Sequence, residues 1–305
     1  MQDDLGPRGD RILITGGAGF IGSHLADALV ADNDVRVLDD FSGGFRDQVP
    51  DEATVVEGDV RDPAVLDRAM EGVDVVFHEA AVVSVPKTVD DPFTSNDVNV
   101  TATVRILERA REESARVVCA SSAAIYGNPD GVPITETAPL EPTSPYGIQK
   151  LTLDHYTRLY HDLYDLDTVV LRYFNVYGPR AEAGEYGDVV SVFLRQGRAG
   201  GPITVEGDGE QTRDFVHVDD VVQANLRAAT TDAVGEAYNV GCGTEITISA
   251  LARKIRDLTG GDTSIEHVDP RPGDIDESLA DISKARERLG YEPTIGLDEG
   301  LESVV

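Results

Sequence analysis

The sequence feature that most constrains the fold is a glycine-rich segment that directly follows a short apolar run. The run, Ile12–Ile14, predicts a buried parallel strand, and a helical pattern begins at Ser23. Four glycines lie between them, namely Gly16, Gly17, Gly19 and Gly22. A strand, a glycine turn and a helix in this order bring backbone N–H groups and the positive end of a helix dipole to a pyrophosphate. The segment therefore predicts a dinucleotide site, with an ordinary glycine-rich turn as the alternative.

The acidic end of the next predicted strand favours NAD over NADP. The apolar segment that begins at Val35 ends in Asp39 and Asp40. Asp39 stands 17 residues after Gly22. This distance is close to the spacing of about 20 residues at which an acid follows the glycine turn in dinucleotide-binding folds. A carboxylate there accepts hydrogen bonds from the ribose hydroxyls of NAD and would repel the 2′-phosphate of NADP. We therefore expect NAD as the cofactor.

Charge is the most unusual feature of the composition. The chain has 305 residues and a formal net charge of -30. The acids are scattered along the chain, whereas a patch for a basic partner would be clustered, so we interpret them as a surface adapted to high salt. In molar salt the Debye length is about 3 Å, and self-repulsion is screened. The same charge disfavours nucleic-acid binding.

Neither the cysteines nor the apolar runs indicate a secreted or membrane protein. Cys119 lies in an apolar run and Cys242 between two glycines, so neither indicates a disulfide or a metal site. The chain opens with a polar, acidic stretch, and no apolar run reaches the length of a membrane span. We expect a cytoplasmic protein with reduced thiols and no bound metal.

Alternating strand-like and helix-like patterns predict the fold class. Strands are predicted at 12–15, 35–39, 54–57, 74–77, 116–121 and 168–173, and helices at 20–31, 63–70, 92–112 and 146–164. This alternation predicts an α/β fold, a Rossmann-like doubly wound parallel sheet with its site at the carboxyl ends of the strands. Beyond residue 175 the elements are shorter and the joints rich in glycine and proline. We expect an NAD-binding domain over 1–175 and a smaller C-terminal α/β lobe for the substrate over 176–305. The boundary is approximate, and the fold allows the chain to cross between the lobes.

Tyr146 and Lys150 are the strongest candidates for catalysis. They stand four residues apart on a helix predicted to begin just after Pro145, so their side chains share one face. An ammonium group one turn from a phenol favours the phenolate, which makes Tyr146 a candidate general base for a hydroxyl proton. Ser122 follows a predicted strand at the edge where site residues gather, and its hydroxyl could bridge the substrate and Tyr146. A surface pair and a serine that caps the next turn are the alternatives.

With these motifs in place, the chain resembles the extended short-chain dehydrogenases/reductases, and among them the nucleotide-sugar 4-epimerases. The resemblance runs from Arg11 to about Tyr291. Its matching stretches are 15–22, 38–41, 58–60, 78–81, 121–127, 144–150, 171–180, 207–217 and 271–274. It implies transient oxidation of a sugar at C4 by bound NAD, with Tyr146 as the base, followed by return of the hydride to the opposite face.

The resemblance also implies binding residues. Those for the cofactor are Gly16, Gly19, Phe20, Ile21, Gly22, Asp39, Asp40, Phe41, Ser42, Gly43, Asp59, Val60, Ala80, Ala81, Asn96, Tyr146, Lys150 and Phe174. Those for a UDP-sugar are Ser84, Ser122, Tyr146, Asn175, Thr204, Val205, Arg213, Arg271, Asp274 and Ser278. Arg213 and Arg271 would clamp the diphosphate, a role that suits the guanidinium fork. The alternative for each arginine is a surface ion pair.

Two positions bear on the reaction and the sugar. Related enzymes that dehydrate or decarboxylate the sugar carry acids directly after the catalytic hydroxyl residue, whereas this chain has Ala123 and Ala124 there, which favours epimerisation. Ser278 stands where a small residue leaves room for an N-acetyl group, so we expect UDP-GlcNAc and UDP-GalNAc to be accepted beside UDP-Glc and UDP-Gal. The alternatives are a UDP-glucuronate 4-epimerase, another nucleotide-sugar oxidoreductase, or a non-catalytic NAD-binding regulator.

The sequence leaves two questions open: the roles of three residues that depart from the family pattern, and the oligomeric state. Glu79, Gln149 and Asp188 stand where the family usually has other residue types, and their roles cannot be derived from the sequence. The resemblance favours a homodimer that pairs through helices 92–112 and 146–164. Apolar candidates for that interface are Val98, Ile106, Leu107, Leu153 and Tyr156, which an internal core explains equally well.

Overall fold

The computed structural model describes residues 5–181, 188–270 and 275–305. Its largest feature is a seven-stranded sheet whose neighbouring strands are all parallel. The strands of the described chain are β1 (Arg11–Thr15), β2 (Asp34–Asp39), β3 (Thr54–Glu57), β4 (Val75–His78), β5 (Arg116–Ser122), β6 (Thr168–Tyr173), β7 (Asn175–Tyr177), β8 (Ile203–Glu206), β9 (Thr212–Arg213), β10 (Phe215–His217), β11 (Glu236–Val240), β12 (Ile246–Thr247) and β13 (Ile265–Val268). The order in the large sheet is β11-β6-β5-β4-β1-β2-β3.

Helices cover both faces of this sheet. They are α1 (Phe20–Leu29), α2 (Pro63–Met70), α3 (Val85–Asp90), α4 (Pro92–Asn96), α5 (Ala102–Glu113), α6 (Pro145–Tyr164), α7 (Val189–Arg198), α8 (Val218–Thr230), α9 (Ile248–Leu258), α10 (Ser283–Leu289) and α11 (Leu297–Glu302). Ile12 and Ile14 of β1 face the core that α1 and α8 close, whereas Leu13 faces the core beneath α2, α5 and α6. Successive side chains of a strand point to opposite faces, so one strand supplies both cores.

A third core holds together the smaller lobe, which consists of β7–β10, β12, β13, α7, α9 and α11. Its buried side chains include Phe193, Val205, Phe215 and Leu251. The strands of this lobe form three two-stranded sheets, β10-β7, β12-β9 and β13-β8. In the sequence these elements follow β6, in the region where glycine and proline are frequent between short elements.

The predicted fold class is confirmed, and the structure adds two features. β11 lies within 176–305 yet pairs with β6 as the edge strand of the large sheet, so the chain does cross back after residue 175. The helix predicted at 92–112 is interrupted, because a π-helical turn, Asp97–Thr101, separates α4 from α5. The division into an NAD domain and a substrate lobe stays a prediction. Over the described residues, no helix combines the length and apolar character that a membrane span requires.

Candidate active site

The glycine turn forms one wall of a cavity at the carboxyl ends of the sheet strands. Gly16 has φ +69°, and a Cβ atom there would lie 2.7 Å from the backbone nitrogen of Ala80. A Cβ atom at Gly22 would lie 2.3 Å from the carbonyl oxygen of Gly16, so the turn closes tightly only with glycine. Gly19, the N-cap of α1, makes no side-chain capping hydrogen bond, so the N-terminus of this helix meets the cavity as bare backbone. This arrangement fits a pyrophosphate.

The acids that follow β2 lie at the same cavity. The Asp39 carboxylate accepts hydrogen bonds from the backbone of Ala18, at 2.9 Å, and Phe41, at 2.8 Å. Burial raises the pKa of Asp39. The more exposed Asp40 accepts from the backbone and hydroxyl of Ser42. Asp39 thus braces the glycine turn while it lines the cavity, and its ribose-binding role stays a prediction.

Tyr146 and Lys150 meet Ser122 on the opposite wall. Ser144 caps α6 by accepting from the backbone of Gly147, and Pro145 occupies the first turn, so the helix begins as the sequence predicts. The Lys150 ammonium donates to the Ala120 carbonyl at 2.7 Å and lies 5.9 Å from the centre of the Tyr146 ring. Ser122 lines the cavity, and its hydroxyl oxygen accepts from the backbone of Ala124 at 3.2 Å. The side chain therefore caps the next turn and also reaches the site.

Most predicted cofactor residues line this cavity of about 460 Å³. These are Gly16, Gly19, Phe20, Ile21, Gly22, Asp39, Asp40, Ser42, Gly43, Asp59, Val60, Ala80, Ala81, Tyr146, Lys150 and Phe174. The Arg61 guanidinium holds the Asp59 carboxylate and lowers its pKa. Phe41, at φ 55°, packs instead against the core beneath α1.

Asn96 is not brought to the cavity, and a different asparagine lies close by. Asn96 is exposed at the end of α4. Asn99, in the π-helical turn, is buried, and its amide both accepts from the Val82 backbone nitrogen at 2.7 Å and donates to the Val82 carbonyl at 3.0 Å. It thereby fixes the segment that follows Ala81. The π-helical turn, Asp97–Thr101, sets which of these asparagines faces inward, and it has no sequence signal.

The predicted substrate residues are spread more widely. Ser84 is buried and caps α3, and Thr204 exchanges two hydrogen bonds with the Gln196 amide. The Val205 side chain lies in the core of the smaller lobe, so only its backbone is available to a nucleotide. Arg213 is buried in β9, and the amide of Asn175 donates to the Asp214 carbonyl. Ser278 is buried, with its carbonyl accepting from the Asp214 nitrogen, while Arg271 and Asp274 lie outside the described residues.

Two of the three departures from the family pattern have local structural explanations. The Gln149 amide donates to Ser95 at 2.9 Å and accepts from Asn99 at 2.7 Å, so this residue ties α6 to the neighbouring helices. Asp188 caps α7 by accepting from the backbone of Val190 and Ser191. Burial raises its pKa. The third departure, Glu79, lies in the cavity itself.

Several cavity residues are not among those that the sequence assigns to the cofactor or the substrate. They are Leu38, Gly44, Phe45, Gln48, Gly58, Glu79, Val82, Val83, Val98, Ala120, Ser121, Tyr173, Val176, Arg180, Ala181 and Asp188. Most come from loops beyond strand ends, which bend into the cavity only in the folded chain. Seven of them had a signal in the sequence, because they lie in the stretches that carry the family resemblance: Leu38, Gly58, Glu79, Ser121, Tyr173, Val176 and Arg180. Within the described part of the chain, no cluster of three or more His, Cys, Asp or Glu side chains is arranged to hold a metal ion.

Together, the parallel sheet, the glycine turn with its acidic second strand, and the Tyr146/Lys150 pair define a nicotinamide-dinucleotide-dependent enzyme. Comparison with known proteins specifies the family. Residues 12–241 match the NAD dependent epimerase/dehydratase family. The chain belongs to this family and uses NAD.

Three relatives illustrate its range. A putative UDP-glucose 4-epimerase of Methanocaldococcus jannaschii is 39% identical, over 96% of this chain and 97% of that protein. A UDP-N-acetylglucosamine 4-epimerase of Methanobrevibacter ruminantium, determined in complex with UDP-N-acetylmuramic acid, is 35% identical, with a TM-score of 0.93 over 98% of this chain and 97% of that chain. A UDP-N-acetyl-alpha-D-glucosaminuronate decarboxylase of Bacillus cytotoxicus is 32% identical, over 97% of this chain and 96% of that protein. The protein is an NAD-using enzyme, and the two epimerases place it with the isomerases.

Proposed function

We propose that the protein epimerises a UDP-hexose at C4 through a transient 4-keto sugar, with UDP-Glc/UDP-Gal and UDP-GlcNAc/UDP-GalNAc as its substrates. The observation that carries the proposal is the convergence of Tyr146, Lys150 and Ser122 on the cavity that the glycine turn begins. The epimerase names of two of the relatives support it.

Each of the three side chains has a distinct task. Tyr146 takes the proton of the C4 hydroxyl and later returns it. Lys150, fixed by the Ala120 carbonyl, holds its ammonium group beside the Tyr146 ring. The Ser122 hydroxyl is placed to orient the substrate oxygen. Bound NAD supplies the hydride acceptor and donor, so no second substrate is needed.

The residues beyond Ser122 argue against dehydration and decarboxylation. Ala123 and Ala124 form a short 3-10 turn and carry no group that could transfer a further proton. The decarboxylase among the relatives shows that the family includes such chemistry. A UDP-glucuronate 4-epimerase is therefore the nearest alternative within the family.

The reaction is tested by incubating the purified protein in molar KCl with UDP-Glc, UDP-GlcNAc and UDP-glucuronate in separate tubes, without added NAD. Resolution of the products by NMR should show the C4 epimer of UDP-Glc and of UDP-GlcNAc. Conversion of UDP-Glc without any of UDP-GlcNAc would contradict the role given to Ser278. Conversion of UDP-glucuronate alone would replace the proposed reaction with its alternative.

Removal of one hydroxyl tests the catalytic assignment. Tyr146→Phe should lower kcat by about 10²–10⁴-fold, the usual contribution of a positioned acid–base group, while the protein keeps its NAD. Tyr164→Phe is the matched control, because Tyr164 lies on the same helix but is 49% exposed and lies outside the cavity. Equal turnover by Tyr146→Phe and the wild type would refute the proton-transfer role of Tyr146. No turnover by either protein, with NAD bound, would favour the non-catalytic regulator.

We also propose a cytoplasmic homodimer. Both cysteines are free thiols, Cys119 buried and Cys242 partly buried, which fits a reducing compartment. Four of the five apolar candidates from the sequence do not fit an interface, and three of them, Ile106, Leu107 and Leu153, are buried in the core of the chain itself. Val98 lines the cavity. Tyr156, the fifth candidate, is 39% exposed, and the other exposed large apolar side chains of α4 and α6 are Phe93, Ile148, Leu159, Leu163 and Tyr164.

A further inference from the structure

Glu79 is a carboxyl group inside the cofactor cavity that the proposed proton transfer does not use. It is the first residue after β4 and lines the cavity next to Ala80 and Ala81. Lys150 and Tyr173 line the same cavity. Since Lys150, of the proposed proton-transfer pair, acts electrostatically on Glu79, we place Glu79 at the reacting end of the cavity, away from the predicted ribose contact Asp39.

A chain of hydrogen bonds fixes the orientation of this carboxyl group. The Tyr173 hydroxyl donates to Glu79 Oε1 at 2.8 Å, and the Asn225 amide of α8 donates to the Tyr173 oxygen at 2.8 Å. Burial and the nearby Glu79 raise the pKa of Tyr173 well above its ordinary value, so this phenol stays protonated and donates at every working pH. The carboxyl group is therefore held in place through β6 and α8.

The titratable groups that the structure describes around Glu79 do not form an ion pair with its carboxylate. Lys150, on α6, is the opposite charge that acts on it, but the ammonium donates to Ala120. On β4, burial and Lys150 lower the pKa of His78 to about 3, so that imidazole is neutral. On β5, burial raises the pKa of Cys119 to about 12, so that thiol is neutral. Within the described chain Glu79 makes no ion pair. Burial raises its pKa to about 7, against the lowering effects of Tyr173 and Lys150.

The two forms of the cofactor differ in charge at this end of the cavity. The oxidised nicotinamide ring is a cation, whereas the reduced ring is neutral. An anion in a poorly solvated site stabilises a neighbouring cation far more than it would in water. We propose that the Glu79 carboxylate holds the bound NAD in its oxidised form between turnovers, a role that rests on the proposed function.

The linkage is reciprocal. In the forward step the C4–H bond breaks, its electron pair passes as hydride to the nicotinamide ring, and the C4 hydroxyl proton passes to Tyr146. This step removes the charge of the ring and that of the Tyr146 phenolate together. When an outside donor reduces the cofactor, only the cation is lost, so Glu79 becomes easier to protonate and takes up a proton from solvent. Above neutral pH the negative charge of Glu79 opposes reduction of the bound NAD. If the keto sugar dissociates before the hydride returns, the reduced cofactor is therefore more readily reoxidised. At acid pH Glu79 is protonated in both forms and the effect vanishes.

The test measures the redox balance of the bound cofactor. Purified NAD-loaded protein is equilibrated with a viologen dye couple at a fixed potential, and the ratio of reduced to oxidised cofactor is read from near-ultraviolet absorbance. Glu79→Gln keeps an oxygen that can accept from Tyr173 but is neutral at every pH. Near pH 8 the ratio should be about tenfold higher in Glu79→Gln than in the wild type, the equivalent of one pKa unit of coupling. Below about pH 5.5, more than one pKa unit under the value for Glu79, the two ratios should converge.

Two further variants separate the electrostatic role from a structural one. Glu287→Gln removes the same charge at an exposed position of α10 and should match the wild type at every pH. Tyr173→Phe removes the hydrogen bond to Glu79, so the pH at which the wild-type difference sets in should move upward. A folding defect would not move that pH.

The possible failures are distinguishable. Equal ratios near pH 8 in the wild type and Glu79→Gln, with NAD retained by both, would refute the role of Glu79. Loss of NAD from Glu79→Gln would also refute it, because the residue would then act in binding. The predicted redox difference in a protein that epimerises no UDP-sugar would uphold the role of Glu79 and refute only the proposed reaction.

Discussion

Asp214 shows how a single buried carboxylate can assemble a site. It is fully buried between β9 and β10, and its oxygens accept backbone hydrogen bonds from Cys242, Gly243 and Ala280 at 2.7, 2.9 and 3.1 Å. Its own nitrogen donates to the carbonyl of Ser278. One side chain thus fixes both the end of β11 and the segment around Ser278, which we predict to border the N-acetyl group of the sugar.

Asp214→Asn should therefore be costly. An asparagine amide nitrogen cannot accept a hydrogen bond, so at least one buried N–H group loses its partner and the amide's own donors are left facing N–H groups. Each unsatisfied buried group costs about 1–3 kcal/mol, and we expect a total loss of about 2–4 kcal/mol in the free energy of unfolding. Urea denaturation at neutral pH measures it. Asp51→Asn, an exposed turn position, should unfold like the wild type, and an equally stable Asp214→Asn would contradict the role of Asp214 as the link between these segments.

The pH dependence of stability gives the same experiment a second readout. Burial raises the pKa of Asp214 to about 6 from its ordinary 3.8, although its backbone hydrogen bonds lower it. The folded state therefore holds the proton more tightly than the unfolded state, and this group's contribution to stability falls as pH rises from about 4 to 6. Asp214→Asn should lose that part of the slope.

At the scale of elements, α6 combines the catalytic pair with an unpaired apolar surface. One face buries Leu153 and Lys150 against the sheet, while Ile148, Leu159 and Leu163 on the other face are 55%, 43% and 61% exposed. Exposed apolar side chains grouped on one helix face are typical of an interface. This face, together with α4, is where we place the second copy of the chain.

Charges on that face should dissociate the dimer. Leu159→Glu combined with Leu163→Glu places two like charges in each copy's contact surface, where an unpaired buried charge is strongly unfavourable. Sedimentation of the wild type should give twice the mass of the double variant. Val268→Glu, at an exposed apolar residue of β13, serves as the control and should remain dimeric. A wild type that sediments as a monomer, or a double variant that stays dimeric, would contradict the interface.

At the scale of the whole molecule, the net charge of -30 dominates. Ion pairs such as Lys254–Asp298 and Lys284–Glu236 lie at the surface and neutralise a small part of it. Exposed pairs of this kind contribute about 0–1 kcal/mol each, so they do not offset the repulsion summed over the surface.

The melting temperature should therefore rise between dilute buffer and molar KCl, since salt screens this repulsion. A thermal scan followed by circular dichroism measures it. NaCl at the same concentration should act like KCl if screening is the cause. A melting temperature that does not change with either salt would refute the adaptation to high salt.

The sequence by itself determined the local chemistry of this protein. The alternating apolar runs predicted strands β1–β6, and the acid at Asp39 after the glycine turn predicted NAD. The four-residue spacing of Tyr146 and Lys150 predicted that they share a helix face. Each of these signals is local, because strand alternation, helix spacing and turn glycines act over a few residues.

Tertiary structure alone decided which distant groups meet. β11 joins the large sheet next to β6, Asn99 takes the inward place expected for Asn96, and Glu79 meets Tyr173, 94 residues further along the chain. The physical reason is that burial and long-range contact set these positions: a carboxyl group has an ordinary pKa in the unfolded chain, and only the folded cavity makes Glu79 titrate near neutrality.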